Sequence, residues 1–524
     1  MAGGAGRDKA PQPEGEPVSN ALKWSDIEPE TAPEPLVPSE GYSDDALALR
    51  FSAQHGNDLR YVAQWGRWLR WNGTRWEEDQ TVLVFDMVRR VCREAAEEVE
   101  DERQAARIRS AMTVAAVERL ARSDRRHAAI VEQWDSNPWL LNTPKGIVDL
   151  KTGKLQPAKR EDYATKATAT VPGGDCPTWA KFLDRITGGD ADLQRYLQVV
   201  AGYSLTGLTI EHALFFLHGC GANGKSVFVS TLAGIIGDYA KTAPMATFTE
   251  SRTEQHPTDL AALQGARLVV STETEDGRRW AEAKIKSLTG GDRISARYMR
   301  MDFFEYTPQF KLLISGNHRP GLRGVDESIR RRLQLVPFAV TIPEAERDLR
   351  LTEKLKAEWP GILAWAVQGC LLWQGEGIYQ PDAVRAATGD YLSSEDALLR
   401  WVEDCCESGP NLWSSGSALF ASWKGWADAN NEYAGSQKRF SEQMASHGFQ
   451  QVRTRAARGF SGIAIREPSV TDVTGSQIIG VHARARNGDN REKCHIRHKP
   501  SESVAAPVNE LPTAAPVAYE VDDL

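Results

Sequence analysis

The sequence lacks the cysteine pairs of a metal site or disulfide framework, and it lacks long apolar runs. Its seven cysteines are scattered over 524 residues without a C-x-x-C pair, which argues against zinc and predicts a reducing, cytoplasmic setting. No stretch reaches the apolar length needed to span a bilayer, and the first residues lack the apolar core of a signal peptide. We therefore expect no membrane partner.

Acidic residues outnumber basic ones, 71 to 63, and the excess is concentrated at one end. The net charge is −8, and residues 1–45 carry ten acidic and three basic side chains, so they account for −7 of it. This stretch is rich in Pro, Glu, Gly and Ala and predicts an acidic disordered tail. The remainder is nearly neutral, so local basic patches there can still bind nucleic acid.

One motif specifies a chemistry. Gly219-Cys-Gly-Ala-Asn-Gly-Lys225-Ser226 follows an apolar run at 213–217, which matches the phosphate-loop pattern G-x-x-x-x-G-K-[ST] between a strand and a helix. Glycines let backbone N–H groups surround phosphates, while Lys225 neutralises their oxygens and the Ser226 hydroxyl reaches Mg²⁺. The motif predicts binding of a nucleoside triphosphate. The residues expected to contact it are Gly219, Gly221, Ala222, Asn223, Gly224, Lys225, Ser226 and Val227.

Acidic residues follow a second predicted strand. Residues 267–272 form a short apolar run typical of a buried strand, and Glu273 and Glu275 come directly after it. In nucleotide hydrolases, acids at such a strand end hold Mg²⁺ and polarise the attacking water. The alternative interpretation is a solvated acidic turn, and the upstream phosphate loop favours the catalytic one.

Two further elements complete a hydrolysis pattern. The predicted strand 310–315 ends near Asn317, whose amide can bind the γ-phosphate or orient water. Arg330, Arg331 and Arg332 follow. A triple arginine is usually surface charge, yet its distance from Asn317 suits an arginine finger that stabilises charge in the transition state.

These residues, in this order, resemble the superfamily 3 helicases, a branch of the AAA+ ATPases. The resemblance is greatest to the phage and plasmid primase-helicase family related to the poxvirus nucleoside triphosphatase, and it covers about residues 45–470. It implies an α/β fold with an AAA+ phosphate-loop core of parallel sheet flanked by helices, an N-terminal α+β accessory domain and a C-terminal winged helix-turn-helix. It also implies a ring-shaped, usually hexameric, ATP-driven DNA helicase with ATP between subunits. The motifs that carry the resemblance are 219–226, 267–275, Lys286 with 289–292 and Arg297, 311–317, and Arg331-Arg332 with Pro337-Phe338.

The resemblance also implies residue roles. Lys225 and Ser226 would contact phosphate and Mg²⁺, Glu273 would be the main acid, and Asn317 would be the sensor. Either Arg331 or Arg332 would be the finger that reaches the ATP of a neighbouring subunit. The segment between Asp292 and Phe310 would form a pore hairpin. The candidates for contact with the DNA backbone are Lys286, Arg297 and Arg300.

The C-terminal third predicts helices followed by a β pair, an order that suits a winged helix-turn-helix. Lys438 and Arg439 would lie on its recognition helix, and Arg453, Arg455 and Arg458 on its wing. The alternative is a module that only packs subunits together. The predicted domains are a tail at 1–45, an accessory domain at 46–205, the ATPase core at 206–345, a helical lid at 346–380, the winged helix at 381–470 and a flexible tail at 471–524.

Three functions compete. We expect a replicative DNA helicase of a phage, prophage or plasmid, working with a separate primase or polymerase and an initiator, and no primer synthesis by this polypeptide alone. The alternatives are an ATP-switched platform that marks an origin, and a small-molecule or polynucleotide kinase. The aromatic segment with Trp68, Trp71 and Trp76 is compatible with base stacking, but tryptophans on a small sheet are more often core.

Overall fold

A computed structural model describes residues 41–251, 258–272, 277–322, 325–430, 432–453 and 457–466. Most of the predicted tail 1–45 and all of 471–524 lie outside this part. The described residues divide into two compact units, one of residues within 41–70 and 78–131 and the other of residues within 71–77 and 132–466. The division falls inside the predicted accessory domain 46–205 and assigns residues 132–205 to the second unit.

The elements up to residue 131 begin with a capped helix. The Ser43 hydroxyl accepts a hydrogen bond from the Ala46 N–H, which satisfies an open backbone donor at the helix start. In chain order the elements are α1 (Asp44–His55), β1 (Leu59–Val62), β2 (Arg67–Trp71), β3 (Trp76–Glu78), α2 (Leu83–Glu97), α3 (Glu102–Ile108), α4 (Ala111–Ala121) and β4 (Ala128–Ala129). Strand β1 pairs antiparallel with β2 and parallel with β4.

Two of the three early tryptophans belong to hydrophobic cores. Trp68 is buried, and its indole Nε1–H donates to Glu118 Oε1 at 2.7 Å. Trp76 is also buried and donates to the Arg160 carbonyl at 3.0 Å. For these two residues the structure favours the core interpretation over base stacking.

The elements after residue 131 alternate between strands and helices around one main sheet. They are β5 (Leu140–Thr143), β6 (Gly146–Asp149), β7 (Lys154–Gln156), α5 (Pro177–Thr187), α6 (Ala191–Leu205), β8 (Leu214–His218), α7 (Lys225–Ile236), β9 (Ala240–Thr242), α8 (Thr258–Ala261), β10 (Leu268–Thr272), α9 (Glu282–Gly290), β11 (Ile294–Ala296), β12 (Phe304–Tyr306), β13 (Lys311–Gly316), α10 (Glu327–Arg330), β14 (Leu333–Pro337), α11 (Leu351–Ala357), α12 (Trp359–Glu376), α13 (Asp382–Glu395), α14 (Ala397–Cys405), β15 (Cys406–Ser415), α15 (Gly416–Ala429), α16 (Gln437–Ser446), β16 (Gln451–Arg453) and β17 (Arg458–Ile465).

The main sheet has five parallel strands in the order β14-β8-β13-β10-β9. Residues of its central strands are buried on both faces, as expected for a parallel sheet covered by helices. One face packs against Phe182, Phe228 and Ile362, and the other against Trp280 and Ile285. The predicted α/β class, a parallel sheet flanked by helices, is therefore confirmed.

Among the described residues after 131, three smaller sheets accompany the main one, and the first is an antiparallel sheet of β5, β6 and β7 in that order. Strands β11 and β12 pair antiparallel as a hairpin, with Ile294 opposite Tyr306. Near the C-terminus, β15, β17 and β16 form an antiparallel sheet in that order. This sheet and the helices α14, α15 and α16 share a core around Trp401, Trp423 and Phe440.

Candidate functional site

The parallel strands bring their carboxyl ends to one edge of the sheet. His218, the last residue of β8, lies opposite Gly316 of β13 on one side and Pro337 of β14 on the other. Thr272, the last residue of β10, lies opposite Ser315. The carboxyl edge of such a sheet is the usual location of a ligand site.

The loop 219–224 follows β8 at this edge and leads directly into α7. Two of its glycines are required by close contacts. A Cβ on Gly219 would lie 2.2 Å from Asn223 Nδ2, and a Cβ on Gly224, where φ is +85°, would lie 2.5 Å from Ile186 Cγ2. The loop therefore depends on glycine for its conformation.

Lys225 is buried inside this loop. Its side chain is only 5% exposed, and Nζ donates to the Gly219 carbonyl at 2.7 Å, to Asn223 Oδ1 at 3.0 Å and to Asn317 Oδ1 at 3.2 Å. All three acceptors are neutral, and burial lowers the pKa of the ammonium group. A desolvated cation held by neutral oxygens favours the approach of an anion.

Asn223 connects the loop to the neighbouring strand. Its side chain is buried, accepts from Lys225 through Oδ1, and donates through Nδ2 to the Phe338 carbonyl at 3.0 Å. The Ile342 N–H in turn donates to the Ala222 carbonyl at 2.8 Å. Two hydrogen bonds thus join the phosphate loop to the segment that follows β14.

The structure brings together some of the predicted residues and leaves others apart. Lys225 and Asn317 touch, Ser226 is exposed in the first turn of α7, and Val227 is half-buried. Glu273 and Glu275 lie outside the described residues; β10 ends at Thr272 immediately before them.

The two finger candidates have opposite environments. Arg332 is 7% exposed, and its guanidinium donates to Thr289 Oγ1 at 3.2 Å and to the Ser328 carbonyl at 2.9 Å. Arg331 is exposed. Within the described ranges, no hydrogen bond or ion pair holds the Arg331 side chain.

The candidates for DNA contact are also separated. Lys286 forms an ion pair with Asp326 at 2.5 Å, and this aspartate also caps α10 by accepting from the Ile329 N–H. Arg297 lies in the loop between β11 and β12, and so does Arg300, which is exposed. The others lie in the C-terminal module: Lys438 and Arg439 on α16, Arg453 on β16 and Arg458 on β17, with Arg455 outside the described residues.

A cavity of about 470 Å³ opens beside the loop, and sequence reasoning missed it. Its lining is mainly apolar: Phe182 of α5, Ala222 and Val227 of the loop region, and Ile342 and Leu351 after β14. At the rim, Arg185 donates to Glu346 at 2.7 Å. Ala222 and Val227 are residues that the phosphate-loop motif predicts, but no motif marks the lining residues of α5, because α5 shows only the periodicity of a helix that packs on a core.

The sequence motifs also did not single out His218. Burial lowers its pKa to about 4, and the positive charges of Arg319 and Lys225 act in the same direction. The imidazole is therefore neutral near pH 7. Its only signal in the sequence is its position directly before the phosphate-loop motif.

Two segments of the chain match known protein families. Residues 48–188 match the family described as D5 N terminal like, and residues 217–332 match a family of unknown function, DUF5906. Three viral proteins named "Putative helicase" are similar: one from Acanthamoeba polyphaga mimivirus (25% identical, 52% of this chain and 31% of that protein), one from Frog virus 3 (24%, 47% and 27%) and one from Invertebrate iridescent virus 3 (26%, 52% and 32%). The chain spans about a third of the length of these relatives.

Among solved structures, the apo structure of the NrS-1 C terminal region is similar with a TM-score of 0.45 at 11% identity, over 79% of this chain and 88% of that chain. One family match lies before the phosphate loop and the other contains it. These matches support the resemblance of the chain to the phage and viral primase-helicase family. Of the helices that the structure describes, none is long and apolar enough to cross a membrane.

Proposed function

We propose that this protein is an ATP-driven DNA helicase that acts in the replication of a phage, prophage or plasmid in the cytoplasm of a bacterial host. The observation that carries the proposal is Lys225, a buried ammonium group with three neutral acceptors inside a glycine-dependent loop. Phosphate oxygens would supply the negative charge that this environment lacks. The names of the viral relatives support the helicase assignment.

In this proposal the loop holds a nucleoside triphosphate. Backbone N–H groups of 219–226 and the Lys225 ammonium group bind the phosphates, and the apolar cavity around Phe182 takes the nucleoside. The Ser226 hydroxyl and the Glu273 carboxylate would hold Mg²⁺, which supplies positive charge to the phosphate oxygens. Asn317, which accepts a hydrogen bond from Lys225, would orient a water molecule.

The core would be of AAA+ type and work in a ring, with a hexamer as the expected state. Because Arg332 is engaged by Thr289 and Ser328 of its own chain, we assign the finger to Arg331, which is exposed. A finger must reach the nucleotide of the neighbouring subunit, so it cannot be buried in its own core.

The C-terminal module would be a winged helix-turn-helix. Its three helices and antiparallel sheet follow the order expected for that fold, and α16, the third helix, carries the exposed Lys438. We propose that Lys438 and Arg439 contact DNA from this helix. Replication would also need a separate primase or polymerase and an initiator as partners.

The test compares ATP hydrolysis, with and without single-stranded DNA, and displacement of a short annealed strand. Lys225→Ala should abolish both, whereas Lys241→Ala, which removes an exposed lysine on β9, should leave both intact. Strand displacement by the Lys225→Ala protein would refute the helicase assignment. Hydrolysis stimulated by DNA but without displacement by the unaltered protein would instead favour the origin platform.

A further inference from the structure

Helix α13 holds the backbone that directly follows Asn317. The Pro320 carbonyl accepts a hydrogen bond from the Tyr391 hydroxyl, and the Leu322 N–H donates to Glu395 Oε2 at 2.8 Å. Tyr391 and Glu395 are four residues apart on α13, so both project from the same face of the helix. Because 71 positions separate Pro320 from Tyr391, a distant helix fixes the path of the chain beyond Asn317.

Trp280 holds the same segment from a second direction. Its backbone N–H donates to the Gly321 carbonyl at 2.9 Å, and its indole Nε1–H donates to the Tyr391 hydroxyl at 3.1 Å. The Gly321 N–H donates to the Arg278 carbonyl at 2.8 Å. Trp280 and Tyr391 are 2% and 1% exposed. The Tyr391 hydroxyl therefore acts as donor and acceptor at once inside a buried network, where each hydrogen bond has a defined geometry.

The two segments that meet at this hydroxyl both come from the carboxyl edge of the main sheet. Pro320 lies three positions after Asn317, in the segment that follows β13. Trp280 lies five positions after Glu275, in the segment that follows β10. Strands β10 and β13 are neighbours in the sheet. One hydroxyl group of α13 thus joins the two segments that leave the candidate hydrolysis site, although no sequence motif marks Tyr391.

We propose that Tyr391 is a positioning residue for ATP hydrolysis, which fixes the segment after Asn317 against the segment that contains Trp280 and so sets the position of the Asn317 amide. This rests on the proposed hydrolysis of ATP and adds a residue from outside the motifs of the site. A group that orients water must be held to within about 0.5 Å, and the hydrogen bonds that support it supply this precision.

The experiment compares Tyr391→Phe with Tyr239→Phe in the complete protein. Tyr239 is also buried, and its hydroxyl accepts from the Asn142 N–H at 3.2 Å and donates to the Lys166 carbonyl at 3.3 Å. It lies directly before β9, at the opposite edge of the main sheet. Both substitutions remove one hydrogen-bonded hydroxyl and keep the ring. Tyr391→Phe should lower kcat by about 10- to 100-fold and leave the affinity for a fluorescent nucleotide unchanged, whereas Tyr239→Phe should change neither.

A double-mutant cycle tests whether Tyr391 acts through Asn317. If it does, Tyr391→Phe should lower kcat much less in the Asn317→Ala protein than in the unaltered protein, because the group that Tyr391 positions is already absent. Equal losses in both proteins would refute the proposal. Glu395→Ala provides a second variant if urea unfolding shows that Tyr391→Phe folds poorly. It removes the acceptor of the Leu322 N–H at a half-buried position and should also lower kcat.

The other outcomes overturn the proposal in distinguishable ways. An unaltered kcat in Tyr391→Phe would refute the positioning role and leave the proposed function intact. An equal fall of kcat in Tyr239→Phe would assign the effect to a general loss of stability. A fall in nucleotide affinity with kcat unchanged would place Tyr391 in binding instead of hydrolysis. If the unaltered protein does not hydrolyse ATP, the proposed function fails together with this inference.

Discussion

The ammonium group of Lys225 donates to Asn317 Oδ1 across 3.2 Å, although 92 positions of the chain separate the two residues. The contact forms because β8 and β13 are neighbours in the parallel sheet and end at the same edge. The residue proposed to contact phosphate and the residue proposed to orient water are thereby joined directly.

Asn317 should act on the chemical step more than on binding. Asn317→Ala is expected to lower kcat by about 10²- to 10³-fold, the effect of removing one preorganised polar group, while nucleotide affinity changes little. Asn317→Asp should instead weaken nucleotide binding, because a carboxylate beside Lys225 competes with phosphate. Steady-state hydrolysis and titration with a fluorescent nucleotide separate the two effects. Wild-type turnover by Asn317→Ala would exclude the assigned role.

Substitution of Arg332 should lower the stability of the protein, whereas substitution of Arg331 should affect ATP hydrolysis. Arg332→Ala removes the donor to Thr289 and Ser328, so we expect the free energy of unfolding to fall by about 1–3 kcal/mol. Arg331→Ala should change that free energy by less than about 0.5 kcal/mol, because the side chain is exposed, and should abolish ATP hydrolysis.

If Arg331 acts between subunits, hydrolysis lost in Arg331→Ala should recover in part when this variant is mixed with a second one. Mixing this variant with Lys225→Ala should restore part of the hydrolysis, since some interfaces then combine an intact Lys225 with an intact Arg331. Denaturant unfolding and hydrolysis by the mixed oligomers measure these effects. Absence of any recovery on mixing, although mixed oligomers form, would contradict a finger that acts between subunits.

Substitutions of Lys286 and Arg300 should have different effects, because Lys286 pairs with a helix-capping residue and Arg300 is a candidate for DNA contact. Because Lys286 pairs with the Asp326 that caps α10, both Lys286→Ala and Asp326→Asn should loosen the helix that precedes Arg331 and slow hydrolysis similarly. Arg300→Ala should reduce the salt dependence of single-strand binding by about 0.7 in logarithmic slope. Binding titrations at several salt concentrations provide the measurement. A reduced slope in Lys286→Ala would show that this lysine contacts phosphate after all.

His127 should make the first unit sensitive to acid. Its ring is fully buried, Nδ1 lies 3.1 Å from the Leu59 carbonyl, and burial lowers its pKa from 6.5 to about 4. Between these values the unfolded chain binds a proton that the folded chain does not. Stability contributed by the neutral ring is therefore present above pH 6.5 and is lost as pH falls toward 4.

The variant His127→Phe tests this dependence. It should be less stable at pH 7, because the Leu59 carbonyl loses its donor, but its stability should decline less between pH 6.5 and 4. Urea unfolding followed by tryptophan fluorescence at stepped pH gives both values. An unchanged slope in the variant would assign the acid sensitivity to other groups.

The sequence by itself determined the local chemistry. The pattern from Gly219 to Ser226 requires a turn in which Gly219 and Gly224 have no room for a Cβ and Gly221 has φ of +93°, and the apolar runs on either side specify strand and helix. The order of strands and helices after it predicted the α/β class, because parallel strands need helical crossovers. These features depend on neighbouring residues in the chain, so they can be predicted without a partner element.

Only the tertiary structure decided which side chains are exposed and which are engaged in contacts within the chain. Arg331 and Arg332 are adjacent and chemically identical, yet one is exposed and the other is engaged by Thr289, 43 residues away. Lys286 depends in the same way on Asp326, and the cavity beside Phe182 depends on the segment after β14. The direction of a side chain follows from the helix phase and from contacts between distant elements, and a one-dimensional pattern contains neither.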